Sequence, residues 1–201
     1  NYLFRRTLRT TNILRKGSTA DELVNIITEK RIDVMIMGMQ GASASSAAEF
    51  GSLTSYFIDN PYCAVITVPD DSRILSLKQI AVAFDGKTEP KPSQIYVLSF
   101  LAQSLSSKIH VFSIIQEHSS NSKISIEDSF KEVFKYNLSS FYKIDEPSIV
   151  GAIRKFITDK NIDLLTVFHR INSQKDPLKR SVSKQLAFVL RIPLLINPIE
   201  L

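Results

Sequence analysis

Apolar and polar positions alternate along this chain with two different periods. Leu23, Ile26 and Ile27 recur at the three-to-four spacing of one helix face, and so do Ile149, Ile153, Phe156 and Ile157. Each of these helices leads into a short, almost wholly apolar run, "DVMIM" at 33–37 or "DLLTV" at 163–167. Runs of that kind are expected of strands buried on both faces of a parallel sheet. A second helix follows in each case, at roughly 52–59 and 181–190, and then a terminal strand, "AVITV" or "LLIN". Ahead of the later set stand "QIAVAFD" as a strand, "SQIYVLSFLAQSL" as a helix, "KIHVFSII" as a strand, "IEDSFKEVFKYNL" as a helix and "SFYKI" as a strand. Helices and strands alternate, which predicts an α/β fold with a parallel sheet.

The two sets are copies of one pattern. "TADELVNIITEKRIDVMIMGMQG" followed by "GSLTSYFIDNPYCAVITVP" matches "EPSIVGAIRKFITDKNIDLLTVFHRI" followed by "RSVSKQLAFVLRIPLLINP". Asp33 falls on Asp163, Ser52 on Ser181, Ala64 on Pro193 and Pro69 on Pro198. A repeat this long predicts two tandem domains: residues 1–70, a linker at 71–77, and residues 78–201. The second domain is complete, with five strands and four helices. The first starts late: "NYLFRRTLR" reads as a helix tail and "TNILRK" as its third strand, with the opening strand–helix–strand missing. On that reading residues 1–70 are not stable alone, and the natural chain is longer or another copy supplies the absent strands.

Composition narrows the class. The 201 residues are 44% hydrophobic and 22% charged, as in ordinary globular proteins, and no apolar run reaches the ~18 residues of a membrane span. A single cysteine excludes an internal disulfide framework and fits a reducing compartment, so the expected location is the cytoplasm. The net charge of +5 lies wholly in residues 71–201. Between 170 and 191, Arg170, Lys175, Lys179, Arg180, Lys184 and Arg191 face only Asp176. That segment could bind an anion or form a solvated surface. No nucleic-acid-binding signature accompanies it, so neither nucleic acid nor membrane is an expected partner.

The candidate chemistry sits after the first "DVMIM". Three of the chain's six glycines fall there, as Gly38, Gly41 and Gly51, with Ser52 next. Glycine serves where the backbone needs positive φ or where another group comes very close. A strand running into such a loop and then a helix can seat a phosphate on backbone N–H groups, here those of residues 38–41 and 51–53, ending at Leu53. The plainer alternative is a turn with Ser52 as a helix cap. The loop contains no lysine, so it is not a P-loop and strong ATPase chemistry is not expected. Cys63 reads as core, Met35 and Met37 as sheet packing, His110 as a strand residue, and His118 and His169 as residues in or beside loops. No metal-ligand spacing or catalytic triad emerges.

With these residues in hand, the chain resembles the universal stress protein family in tandem two-domain form. Gly-x2-Gly-x9-Gly-Ser after the fourth strand is the motif of its nucleotide-binding members. That resemblance implies a Rossmann-like, adenine-nucleotide alpha-hydrolase-like sheet of five parallel strands in the order 3-2-1-4-5, with helices on both faces. It implies adenine nucleotide (ATP, AMP or ADP, with or without Mg) bound by Gly38, Gly41, Gly51, Ser52 and Leu53, at most slow hydrolysis, and a regulatory or stress-response role. It also implies pairing of the fifth strands, "CAVITV" beside "PLLIN", as a pseudo-dimer within one chain or between two. A family aspartate closing strand 1 matches Asp85, beside Gly86, in the second domain only, where Phe168, Ile171 and Arg180 replace the glycines. A nucleotide-independent stress or scaffold protein that acts through dimerisation is the alternative.

Overall fold

The computed structural model describes residues 9–39, 51–70, 72, 76–84, 91–115, 130–131, 133–135, 137–145, 148–171 and 182–200. The earlier part contains α1 (Thr19–Lys30), β1 (Val34–Gly38), α2 (Ser52–Asp59) and β2 (Ala64–Val68). The later part contains β3 (Gln79–Phe84), a 3-10 turn (Pro92–Ile95) opening into α3 (Tyr96–Leu105), β4 (Lys108–Ile115) and β5 (Leu138–Asp145). It continues through α4 (Ile149–Lys160), β6 (Leu164–Ile171), α5 (Val182–Val189) and β7 (Leu194–Glu200).

All described strands join one sheet in the order β1-β2-β7-β6-β3-β4-β5. From β5 to β7 this is the expected succession 3-2-1-4-5, and every pair within it is parallel. The expectation of a five-stranded sheet is nonetheless wrong for the molecule, because β1 and β2 extend it to seven strands. β2 pairs with β7 antiparallel, Val65 opposite Ile196, Ile66 opposite Leu195 and Thr67 opposite Leu194. A second correction concerns "TNILRK": residues 9–18 belong to no strand, and Leu14 is 97% exposed. A third strand in this order pairs only with a second, and no described strand offers that partner.

The matched segments end alike. Arg31 and Asn161, which follow α1 and α4, are both left-handed, with φ of 51° and 49°. Ile32 N–H donates to Ile27 O and Ile162 N–H to Ile157 O, each at 3.0 Å, closing the same Schellman-type cap. Register agrees as well: Met35 pairs with Val65 as Leu165 pairs with Leu194.

One face of the sheet carries α1, α2, α4 and α5, packing Ile27, Phe57, Ile58, Ile153, Phe156, Leu186 and Ala187 on Val65, Leu165, Val167 and Ile196. On the other face, Ile95, Leu98, Ala102, Phe130 and Phe134 cover Ile80, Val82, Ile109, Val111 and Leu195. Burial on both faces is why these strands read as continuous apolar runs. Met35, Met37 and Met39 pack the first of these layers. Ile36, on the opposite face of β1, is 67% exposed.

Candidate functional site

β1 stops at Gly38, and the chain is then held in place by its own backbone. Met39 N–H donates to Val68 O at 3.1 Å, and Gly51 N–H donates to Met39 O at 3.1 Å. The two ends of the loop thus meet at the carboxyl end of β1. Thr54, on the first turn of α2 and 4% exposed, turns its hydroxyl back to donate to Gly38 O at 2.9 Å. Thr54 escaped the sequence reading, although a hydroxyl three residues after Gly51 was a signal for it. Gly51 is the N-cap of α2 and has no side chain to satisfy the first-turn N–H groups. Ser52 is therefore the first helical residue, which corrects its reading as a cap.

Among the described glycines, positive φ occurs only at Gly17. Gly51 has φ −54° and ψ 135°, an arrangement any residue can adopt. Left-handed backbone does not explain glycine at 38 or 51. Gly38 and Ser52 are exposed, while Gly51 and Leu53 are half-buried. The amino end of α2 adds the positive pole of its dipole, favouring a negative group there. Gly41 lies outside the described residues.

The matching place in the second half is built differently. β6 does not stop where β1 does: Phe168, His169, Arg170 and Ile171 continue the strand and pair with Asn197, Pro198, Ile199 and Glu200. His169 is therefore a strand residue, which corrects its placement in or beside a loop. Phe168 stands edge-on to Phe84, the last residue of β3, with ring centroids 6.4 Å apart. Phe84 is in turn edge-on to Phe130 at 5.5 Å. An aromatic ring of β6 thus stands against the carboxyl end of β3, where a doubly wound sheet would offer its crevice. Asp85, Gly86 and Arg180 lie outside the described residues.

The basic segment is partly spent on structure, since Lys184 of α5 forms an ion pair with Asp59 of α2. Cys63 is buried, and desolvation pushes its thiol up to about 11, which makes it a packing group rather than a nucleophile. Among the described residues no cluster of metal-ligating side chains gathers, and no helix is long and apolar enough to cross a membrane.

No family model matches the chain, and no curated protein matches its sequence. Solved structures do. A universal stress protein from Archaeoglobus fulgidus superposes with a TM-score of 0.69 at 14% identity, over 89% of this chain and 66% of that one. A functionally unknown protein from Pseudomonas aeruginosa gives 0.63 at 11% identity, and a structure assigned to the universal stress proteins of the same organism gives 0.60 at 12%. Each of those two aligns over 91% of this chain and 69% of its own. The chain thus spans about two thirds of the length of these structures, and the fold it shares with them is that of the universal stress proteins.

Proposed function

We propose that this is a universal-stress-type regulatory protein that binds one adenine nucleotide, ATP or its di- or monophosphate, at the carboxyl end of β1. The observation that carries the reading is the Gly51–Met39 hydrogen bond, which sets the uncapped amino end of α2 beside Gly38. Backbone N–H groups of residues 38–41 and 51–53 would receive the phosphates, with the Ser52 hydroxyl beside them. Residues 38–53 contain no lysine or arginine, so binding relies on backbone dipoles and on any Mg the nucleotide brings. Hydrolysis on such a site is slow at most.

Residues 1–70 and 78–201 are read as tandem copies, with the nucleotide loop kept in the first and replaced by strand and aromatic rings in the second. The outer edge of β1 is then the position that β3 occupies on β6. The β2–β7 pair serves as the pseudo-dimer joint within one chain.

Titration calorimetry with ATP tests this: one site per chain is expected, abolished by Gly41→Val with the fold retained. Two equal sites, or binding indifferent to that change, would overturn it.

A further inference from the structure

Far from the glycine loop, three strands of the second half bring four polar side chains into one line. The buried His110 of β4 sits between Gln79, the first residue of β3, and Ser140 of β5. Its Nε2 is 2.7 Å from Gln79 Oε1, and its Nδ1 is 3.2 Å from Ser140 Oγ. Tyr142 donates its hydroxyl to Ser140 Oγ at 2.9 Å. An amide oxygen only accepts, so Nε2 carries the ring proton and Nδ1 accepts from Ser140. Every group is then satisfied in one direction, from Tyr142 through Ser140 and His110 to Gln79, and such chains strengthen their members.

The line crosses a defect in the sheet. Pairing of β4 with β5 runs from Ile109–Leu138 directly to His110–Ser140, so Ser139 is an extra residue and forms a bulge. β5 has β4 as its one described neighbour and ends the sheet. His110 and Ser140, the first pair beyond the bulge, are joined by a side-chain bond between β4 and β5.

We propose that the His110–Ser140 contact is an acid-sensitive latch holding the bulged register of edge strand β5. On protonation Nδ1 becomes a donor. Ser140 Oγ then has to accept from both His110 and Tyr142, and its own proton loses its acceptor. The new charge also meets cations: Lys160 of α4 lies over the Tyr142 ring, 5.0 Å from its centre, and Lys108 is on β4 itself. The nearby carboxylate of Asp163 is already engaged by the N–H groups of Lys78 and Gln79 at 2.7 and 2.8 Å. Burial first, then Lys160 and Lys108, holds the imidazole below its usual range. Acid therefore loosens β5 at its bulged end and uncovers the outer edge of β4, while β6 and β7 stay paired.

Amide hydrogen exchange on the whole chain, corrected for intrinsic rates, tests the latch. Between about pH 7.5 and about pH 5, protection across 138–145 should fall about tenfold, with β6 and β7 unchanged. His110→Gln should remove that pH dependence, and Ser140→Ala should leave β5 loosened at both pH values. Long-range proton–nitrogen spectra of the His110 ring should show the Nε2–H tautomer at neutral pH. An Nδ1–H tautomer, pH-independent protection of β5, an acid response retained in His110→Gln, or full protection of β5 at neutral pH in Ser140→Ala would overturn the proposal.

Discussion

Ile66 of β2 and Leu195 of β7 lie opposite each other at the antiparallel joint, 129 residues apart in sequence, and the local two-fold axis of this strand pair passes between them. Val65 opposite Ile196 and Thr67 opposite Leu194 exchange places under the same rotation. The joint is reinforced above the sheet by the Lys184–Asp59 ion pair between α5 and α2. An apolar strand edge left unpaired is an aggregation hazard. Here each half covers the other's.

Because the hydrophobic layers run through this joint, its loss should be felt on both sides. Leu195 is fully buried, so Leu195→Ala should cost about 2–5 kcal/mol. Urea unfolding followed by probes in each half should show one shared transition moving to lower denaturant. Two separate transitions, with only the second half shifted, would show that the halves are not coupled through β2 and β7.

Gly51 separates a turn from a binding loop. Its φ of −54° suits any residue, so Gly51→Ser should fold and should gain a few tenths of a kcal/mol from the new cap. The same hydroxyl would occupy the first-turn N–H groups that the proposed phosphate needs. Thermal stability should therefore rise slightly while ATP affinity falls at least about tenfold. Unchanged affinity would point to a plain turn.

Much of this fold was legible because its strands are buried on both faces. "KIHVFSII" occupies residues 108–115 as read, and the repeat marked out the two strands that meet at the joint. "TNILRK" failed because a strand is defined by its neighbour, which the segment's own composition does not report. Replacement of the glycines by Phe168 and Ile171 was visible, but not its consequences, an aromatic ring against Phe84 at the place of Gly38 and a strand that runs three residues further. The line from Gln79 to Tyr142 was hidden for a different reason. Gln79, His110 and Ser140 stand about thirty residues apart, and only the order β3-β4-β5 assembles them.

Cys63 should behave as a buried thiol. At 7% exposure and with its pKa raised to about 11, it should resist alkylation at neutral pH, and labelling should follow unfolding. The sign of the linkage is fixed by the raised value. The unfolded thiol ionises near 9 and the folded one later, so this contribution to stability is whole below about pH 9 and is lost as pH climbs toward about 11. Denaturation series across that window, with Cys63→Ala as reference, would reveal it. Rapid labelling of the native protein at neutral pH would contradict the burial.

Asp33 and Asp163 occupy matching places before β1 and β6, and the comparison between them tests the tandem reading most directly. The Asp163 carboxylate accepts the N–H groups of Lys78 and Gln79, fixing the start of β3 against β6. Asp33 is exposed and borders the outer edge of β1, where a strand equivalent to β3 would begin. Asp163→Ala leaves two strand-opening donors without their acceptor and should cost about 1–3 kcal/mol. Asp33→Ala in these 201 residues should change stability by no more than about 0.5 kcal/mol. If a strand is supplied along β1 in the β3 register, the cost at Asp33 should rise to that at Asp163. Equal costs in the 201-residue chain alone would contradict the asymmetry.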